Sequence, residues 1–299
     1  FALIGRQGAL CGNMNYSIGK AYFTEHAVIV KANPSNSTHF MYYLLEIMNL
    51  GQYSDQSAQP GLAVNKLCKL NGEMPSKGEQ EQIAKCFGEI DHLITLHQRK
   101  HKKLLALKKA LLEKMFPKNE EKIPEVRFFG FTGDWEQRKV GELLIERNQP
   151  TVKCSEYPLM AFIANKGIAP KGIRYDRSAL VLDAENKVYK KTEFNDFIYS
   201  SNNLESGSIG LNKYGKACIS PVYSIFQTSE LADADFIGKR LVRPDFKQKM
   251  IKWRQGVIYG QWKIHESDFG KIDVLTPNLE EQRKIGKILN NIDKFITLH

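Results

Sequence analysis

The side chains best suited to chemistry in this sequence are cations, amides and aromatic rings. Residues 239–254 contain seven lysines and arginines against one carboxylate, Asp245, and Trp253 and Tyr259 lie among or beside them. Lysine and arginine neutralise phosphates whatever the base sequence, whereas arginine, asparagine and glutamine can form paired hydrogen bonds with base edges. This segment therefore predicts a nucleic-acid contact.

Further candidates of the same types lie in stretches with loop composition in both halves of the chain. The residues that we expect to contact DNA are Arg6, Gln7, Asn13, Lys171, Arg174, Tyr175, Asn202, Asn203, Lys213, Tyr214, Lys239, Arg240, Lys247, Lys249, Arg254, Gln255 and Tyr259. Any one of them could equally be a solvated loop side chain, so the prediction depends on the cluster. We expect the lysines to contact phosphates, and Arg254 and Gln255, beside the flexible Gly256, to read bases.

Motifs for catalysis are incomplete in this sequence. It contains no G-x-x-x-x-G-K-[ST] phosphate loop. Residues 220–223 match only part of the adenine-methyltransferase loop, and Pro244-Asp245 matches half of a nuclease metal site. His97 and His101 are four residues apart, as zinc ligands can be, but without an evident third ligand we assign them to helix packing. We therefore predict no catalytic residues, no metal and no cofactor in this chain.

A long internal repeat organises the sequence. Residues 75–83 recur as residues 277–285, and Ile-Thr-Leu-His at 94–97 recurs at 296–299, in each case 202 positions later. A repeat of this length indicates two large domains rather than a solenoid of short modules.

Each copy ends in a heptad pattern that is typical of a long helix. The first helix is predicted to begin at Pro75-Ser76, with serine as the N-cap, and to end at Phe116-Pro117. We expect the two helices to bury their apolar seams against each other as an antiparallel coiled coil. Each helix could instead pack on its own domain as ordinary core. The predicted packing residues are Ile83, Phe87, Ile90, Ile94, Leu104, Ile285, Leu289, Ile292 and Ile296.

Composition narrows the class of protein further. Hydrophobic residues make up 42% of the 299 residues, and the net charge is +10. The positive charge is concentrated at residues 99–118, which contain eight lysines and arginines and one acidic residue. A polyanion is a natural partner for such a surface. Five cysteines without a C-x-x-C pair are typical of a reducing compartment, and no apolar run is long enough to span a membrane. We therefore expect a cytoplasmic protein.

Together these patterns predict an α+β fold in which mixed α/β domains are joined by long helices. We expect the later part of a first mixed domain at 1–74, a spacer helix at 75–117, a second mixed domain at 118–276 and the start of a second helix at 277–299. Because Phe1 matches position 203 in the repeat, we expect the chain to be a piece of a longer protein.

Two motifs resemble the DNA-specificity subunit of Type I restriction–modification systems. One is the segment 124–143, with Phe128-Phe129-Gly130-Phe131-Thr132-Gly133-Asp134-Trp135 at its centre, and the other is the Pro-x-x-x-Glu-Gln start of each helix. The resemblance covers essentially the whole chain. It implies two target-recognition domains, each reading half of a split site in double-stranded DNA, separated by helices that act as a ruler.

The resemblance also implies partners. Such subunits join adenine methyltransferase subunits and nuclease–translocase subunits, which bind S-adenosylmethionine, ATP and magnesium, and the specificity subunit itself is not an enzyme. Two alternatives remain open: a stand-alone DNA-binding regulator with a coiled-coil spacer, and a pure coiled-coil scaffold.

Overall fold

The computed structural model describes residues 1–55, 60–118, 121–164, 166–170, 187–258 and 261–298. It divides into two compact units, Phe1–Lys100 (unit 1) and His101–His299 (unit 2). The division falls inside the first long helix, so the boundaries at 74, 117 and 276 remain predictions.

Unit 1 is a small antiparallel sheet covered by helices. Its elements are β1 (Ala2–Gly5), β2 (Met14–Tyr16), β3 (Ala27–Val30), α1 (Thr38–Ile47), α2 (Val64–Leu67) and the first part of α3 (Lys77–Lys114). The sheet order is β2-β1-β3. Alternate side chains of β1 point to one face, so Ile4 is buried there with Leu50 and Leu62.

The long helix α3 begins where the sequence predicted. The backbone N–H of Ser76 donates to Oε2 of Glu79 at 3.0 Å, and the N–H of Glu79 donates to Oγ of Ser76 at 3.4 Å. This reciprocal capping box satisfies donors that the first turn of a helix leaves free. The helix ends at Lys114, just before Phe116-Pro117.

Unit 2 contains short antiparallel strands and several helices. Its first elements are β4 (Glu136–Lys139), α4 (Val140–Leu143), β5 (Leu144–Glu146), β6 (Pro150–Thr151), β7 (Ala161–Ile163), β8 (Gly167–Ala169), β9 (Tyr189–Thr192), β10 (Phe197–Tyr199), β11 (Ile209–Leu211), β12 (Ala217–Ile219) and β13 (Ser224–Thr228). There follow α5 (Ala234–Arg240), α6 (Pro244–Lys252), β14 (Gln255–Ile258), β15 (Gln261–Lys263), α7 (Glu266–Gly270), β16 (Asp273–Thr276) and α8 (Leu279–Thr297).

The strands of unit 2 form two main sheets and three pairs. The main sheets have the orders β11-β10-β13-β5 and β12-β9-β6, and the pairs are β14-β15, β16-β4 and β7-β8. In the β16-β4 pair the last strand lies against the first, so that Thr276 is opposite Glu136. The part of the chain from β4 to β16 therefore begins and ends at the same place, next to α8.

The core of unit 2 joins the opening motif to both long helices. Trp135 is 1% exposed, and its ring lies 6.0 Å from that of Phe116 and 5.8 Å from that of Phe236. Ile285 and Leu289 of α8 belong to the same hydrophobic cluster. The Trp135 motif is thus a packing motif, because its indole fixes the start of the domain against the helices.

A buried ion pair ties the opening segment to α8. Nε and Nη2 of Arg127 each donate to one carboxylate oxygen of Glu281 at 2.8 Å, and Glu281 is fully buried. The backbone N–H of Glu281 has a separate partner, because it donates to Oδ1 of Asn278, the N-cap of α8, at 2.9 Å. Hydrogen bonding to Glu281 raises the pKa of Arg127.

Within unit 2 the end of α3 and the start of α8 run antiparallel. Nζ of Lys108 lies 2.6 Å from Oδ1 of Asp293, late in α8. Phe116, which follows α3, stacks on Phe236, whose backbone nitrogen lies beside Gly286, early in α8. The predicted α+β fold with paired long helices is confirmed.

Burial along the predicted seam is uneven. Ile285, Leu289 and Ile292 are buried, Ile83, Leu104 and Ile296 are half-buried, and Phe87, Ile90 and Ile94 are exposed. Ile285 and Leu289 share their core with Phe236 of α5. Packing on the helix's own domain, the alternative left open above, accounts for these two residues, and seam-to-seam packing elsewhere remains a prediction. No helix among the described residues has both the length and the hydropathy to cross a membrane.

Candidate nucleic-acid interface

Helix α6 displays the exposed part of the basic cluster. Proline at its first position has the fixed backbone angle that favours a helix start, and Phe246 and Met250, one turn apart, are buried. The opposite face therefore points to solvent and carries Lys249 and Lys252, while Lys247 is half-buried. Nζ of Lys249 donates to the carbonyl of Asp273 at 3.1 Å, a bond that leaves its charge exposed.

Two predicted DNA contacts on α5 serve packing instead. Arg240 is 5% exposed and donates from Nη1 to Oδ2 of Asp245 at 2.8 Å. Burial lowers its pKa, and the carboxylate of Asp245 opposes that shift. Lys239 forms an ion pair with Asp293. Arg240 lies on the same helix face as Phe236 and Ile237, so helical periodicity turns it inward, and we correct its assignment to the interface.

Arg254 and the loop with Asn202 and Asn203 are brought together. Nη1 of Arg254 lies 3.3 Å from Oε1 of Glu205, in that loop. The loop is fixed by its own bonds, since the carbonyl of Asn203 accepts from the N–H of Ser208 at 3.0 Å. Both asparagines are exposed. Base-reading side chain types thus lie directly beside the end of α6.

Other predicted residues in this half fall outside the described residues. These are Lys171, Arg174 and Tyr175, the side chain of Gln255, and Tyr259.

A second group surrounds Lys213 and Tyr214. Nζ of Lys213 forms an ion pair with Asp235, donates to Oδ1 of Asn195 at 2.6 Å and lies 5.2 Å from the ring centre of Phe194. Tyr214 is 48% exposed at the tip of a turn. Because Lys213 is neutralised by Asp235, Tyr214 is the member of this pair that is available to a ligand.

The unit 1 candidates lie on one tight connection after β1. Arg6, Gln7 and Asn13 are exposed, and Oε1 of Gln7 lies 3.0 Å from Nδ1 of His26. Gly12 has a φ of 81°, and a Cβ at this position would lie 2.2 Å from the backbone nitrogen of Gly51, so only glycine fits. The connection therefore holds its polar side chains on a rigid backbone.

Sequence reasoning missed one aromatic and basic group in unit 2. Nζ of Lys191 lies 4.5 Å, and Nζ of Lys216 5.7 Å, from the ring centre of Tyr157. The hydroxyl of Tyr157 donates to Oε1 of Glu193 at 2.9 Å. These residues lie far apart in sequence. The lysine-rich segment at 187–191 is the sequence feature from which the group could have been predicted.

Among the described residues, no three His, Cys, Asp or Glu side chains converge as a metal site would require. His97 and His101 therefore have no third ligand in that part of the chain.

A family model for the Type I restriction modification DNA specificity domain matches residues 2–106 and 132–299. The Type I restriction enzyme EcoprrI specificity subunit of Escherichia coli is 48% identical over 91 residues, which are 30% of this chain and 23% of that protein. The putative type I restriction enzyme MjaX specificity subunit of Methanocaldococcus jannaschii is 26% identical over 299 residues, with 94% of this chain and 68% of that protein covered.

Solved structures share the fold. The S subunit of a Type I restriction–modification system from M. genitalium superposes with a TM-score of 0.63 at 15% identity, over 99% of this chain and 77% of that one. The HsdS subunit of Thermoanaerobacter tengcongensis gives a TM-score of 0.50 at 16% identity, over 88% and 64%. Because the family model matches most of both units, this chain belongs to the family of Type I restriction modification DNA specificity domains.

Proposed function

We propose that this chain reads a split target in double-stranded DNA as part of the specificity subunit of a Type I restriction–modification complex. The observation that carries the proposal is the family match across both units, which include the basic helix α6 and its neighbouring loop. Partner subunits perform the adenine methylation and the cleavage. The specificity subunit directs them to the site and has no catalytic role.

Affinity and base choice are divided between neighbouring side chains in this proposal. Lys247, Lys249 and Lys252 on α6 approach phosphates, because a lysine charge does not distinguish bases. Asn202 and Asn203 reach base edges in a groove. Arg254, whose side chain is 7% exposed beside Glu205, does so once it leaves that partner. Gln255, Lys171, Arg174 and Tyr175 remain candidates for the same role. In unit 1, Arg6, Gln7 and Asn13 contact the other half-site.

The partners that we propose are adenine methyltransferase subunits and nuclease–translocase subunits. S-adenosylmethionine, ATP and magnesium are bound by those partners, so the specificity subunit requires no cofactor of its own. We place the complex in the cytoplasm, where its five cysteines remain reduced.

The test is to map methylated adenines in cells that carry the complete locus, with and without the specificity subunit. We expect a single split motif that disappears when the subunit is deleted. A change of Asn202 and Asn203 to alanine should relax one half of the motif and leave the other half intact. Methylation that persists without the subunit, or a continuous motif, would contradict the proposal. DNA binding by a protein that never co-purifies with a methyltransferase would instead support the stand-alone regulator.

A further inference from the structure

Among the contacts that join each unit to its long helix, two hydrogen-bonding positions and a small residue between them recur in both helices. In unit 1 helix α1 packs on α3, and in unit 2 helix α5 packs on α8. The contact positions are Gln80, Ala84 and Asp91 in α3, and Gln282, Gly286 and Asp293 in α8, each 202 residues after its counterpart. We call each set of three a mount.

The glutamine of each mount holds the N-cap of the packed helix. Oε1 of Gln80 accepts from the N–H of Ser37 at 2.9 Å, and Oε1 of Gln282 accepts from the N–H of Asp233 at 3.0 Å. Ser37 caps α1 and Asp233 caps α5. Each glutamine also donates to the carbonyl of the proline that precedes its own helix, at 2.8 Å and 2.9 Å. Neither glutamine is more than 2% exposed.

The aspartate of each mount holds the packed helix near its other end. The hydroxyl of Tyr43 in α1 donates to Oδ2 of Asp91 at 2.7 Å, and Lys239 in α5 forms an ion pair with Asp293. Between the two polar points each long helix carries a small residue. Ala84 is 2% exposed, and a Cβ on Gly286 would lie 2.9 Å from the backbone nitrogen of Phe236.

Two attachment points restrict the orientation of the packed helix more than one attachment point can. The glutamine and the aspartate are eleven residues apart, which is about 16 Å along a helix. A packed helix held at one point can pivot about it, whereas a packed helix held at both cannot. In unit 2 the pair of Arg127 with Glu281 and the core shared with Ile285 also hold the unit on α8. The mount lies about 70° around the helix from the heptad seam at 83, 87 and 90, and of that seam Phe87 also contacts α1, with its ring centre 5.2 Å from that of Tyr43.

We propose that Gln80 with Asp91, and Gln282 with Asp293, are positioning residues that fix the angle of each recognition unit on its own helix. They thereby determine which gap between the two half-sites is accepted. This inference rests on the proposed function, and it adds residues that do not touch DNA to those that decide specificity. Their effect is on the distance between half-sites rather than on the bases within them.

The test uses the complete subunit assembled with its methyltransferase subunits. Binding is measured on the mapped split target and on duplexes whose gap is one base pair longer or shorter. The unaltered complex should prefer the correct gap strongly. Gln282→Met, which removes the bonds to Asp233 and Pro277 but keeps the side chain's size, should reduce that preference about tenfold. Gln80→Met should do the same.

Two further variants separate positioning from folding. Ile225→Ala removes a fully buried side chain from a core cluster that contains no residue of α5 or α8. It should lower stability and leave the gap preference unchanged. Asn36→Ala removes one hydrogen bond of 2.8 Å from Nε2 of Gln80 and an exposed one that Asn36 donates to Asn33, and it should weaken the preference less than Gln80→Met.

The outcomes are distinct. Retention of the normal gap preference by Gln80→Met and Gln282→Met would overturn the inference while the proposed function stands. An equal loss of preference in Ile225→Ala would overturn it as well, because general destabilisation would then explain the effect. No binding to any split duplex by the unaltered complex would overturn the proposed function, and this inference with it.

Discussion

Two carboxylates on α8 show how similar side chains differ in what they contribute. Glu281 is fully buried and bonded to Arg127 through both oxygens, whereas its neighbour Glu280 is 73% exposed and lies 3.2 Å from Nζ of Lys284. Removing one partner of a buried pair leaves the other charge without compensation, and an exposed pair contributes little.

Glu281→Gln should therefore destabilise unit 2 by about 3 kcal/mol, because the guanidinium of Arg127 would lose its counter-charge. Glu280→Gln is the matched control and should change stability by less than about 0.5 kcal/mol. Urea unfolding followed by circular dichroism measures both. Equal effects of the two changes would show that the buried pair has no special role.

Asp293 adds a dependence on pH. Burial opposes its ionisation, but hydrogen bonds from Lys108 and Lys239 outweigh burial and lower its pKa below the ordinary 3.8. A carboxyl with a lowered pKa stabilises the fold above its ordinary pKa, and this stabilisation is lost as the pH falls through the folded value. At about pH 6 the free energy of unfolding of the native protein should exceed that of Asp293→Asn by about 0.5–1 kcal/mol. The difference is modest because the carboxylate is partly exposed.

The difference between these two proteins should shrink as the pH falls below the ordinary 3.8 and disappear where Asp293 is protonated in the folded state. Thermal unfolding at a series of pH values would check this. A difference that stays constant with pH would mean that the charge of Asp293 is not what stabilises α8.

At the scale of elements, the heptad pattern identified both long helices but not how each is covered. Leu289 is fully buried in the core of unit 2, whereas Ile94, on the same predicted seam, is 48% exposed. Leu289→Ala should cost about 2–5 kcal/mol, and Ile94→Ala should cost much less in this chain. Denaturant midpoints for the two variants provide the comparison. A larger loss for Ile94→Ala would show that its seam is packed in solution.

We expect the lysines of helix α6 to bind DNA regardless of its base sequence. Lys247→Ala with Lys249→Ala should weaken binding to the target and to scrambled DNA alike. It should also reduce the slope of log affinity against log salt by up to about 1 per lost phosphate contact. Arg254→Ala should cost about 1–3 kcal/mol on the target and much less on scrambled DNA. If the lysine changes affected binding to the target alone, our assignment of the lysines to affinity and of Arg254 to the choice of bases would be wrong.

For the molecule as a whole, the repeat made the architecture predictable. The 202-residue offset located both helix starts, and the segment around Trp135 indicated the family. The mounts were hidden because their other half is not repeated: Ser37 and Asp233 are 196 positions apart, so the helices that they cap do not align. The inward turn of Arg240 was equally hidden, since a count of charges carries no information about which face of a helix is buried.

The burial of Trp135 between Phe116 and Phe236 has a practical consequence for watching this molecule unfold. All three tryptophans of the sequence lie in unit 2, and residues 1–100 contain none. Excitation at the long-wavelength edge of the absorption band therefore reads the emission of unit 2 alone, whereas tyrosines lie in both units. The chain thus carries a built-in optical label, with which the melting of unit 2 can be followed separately from that of the whole chain.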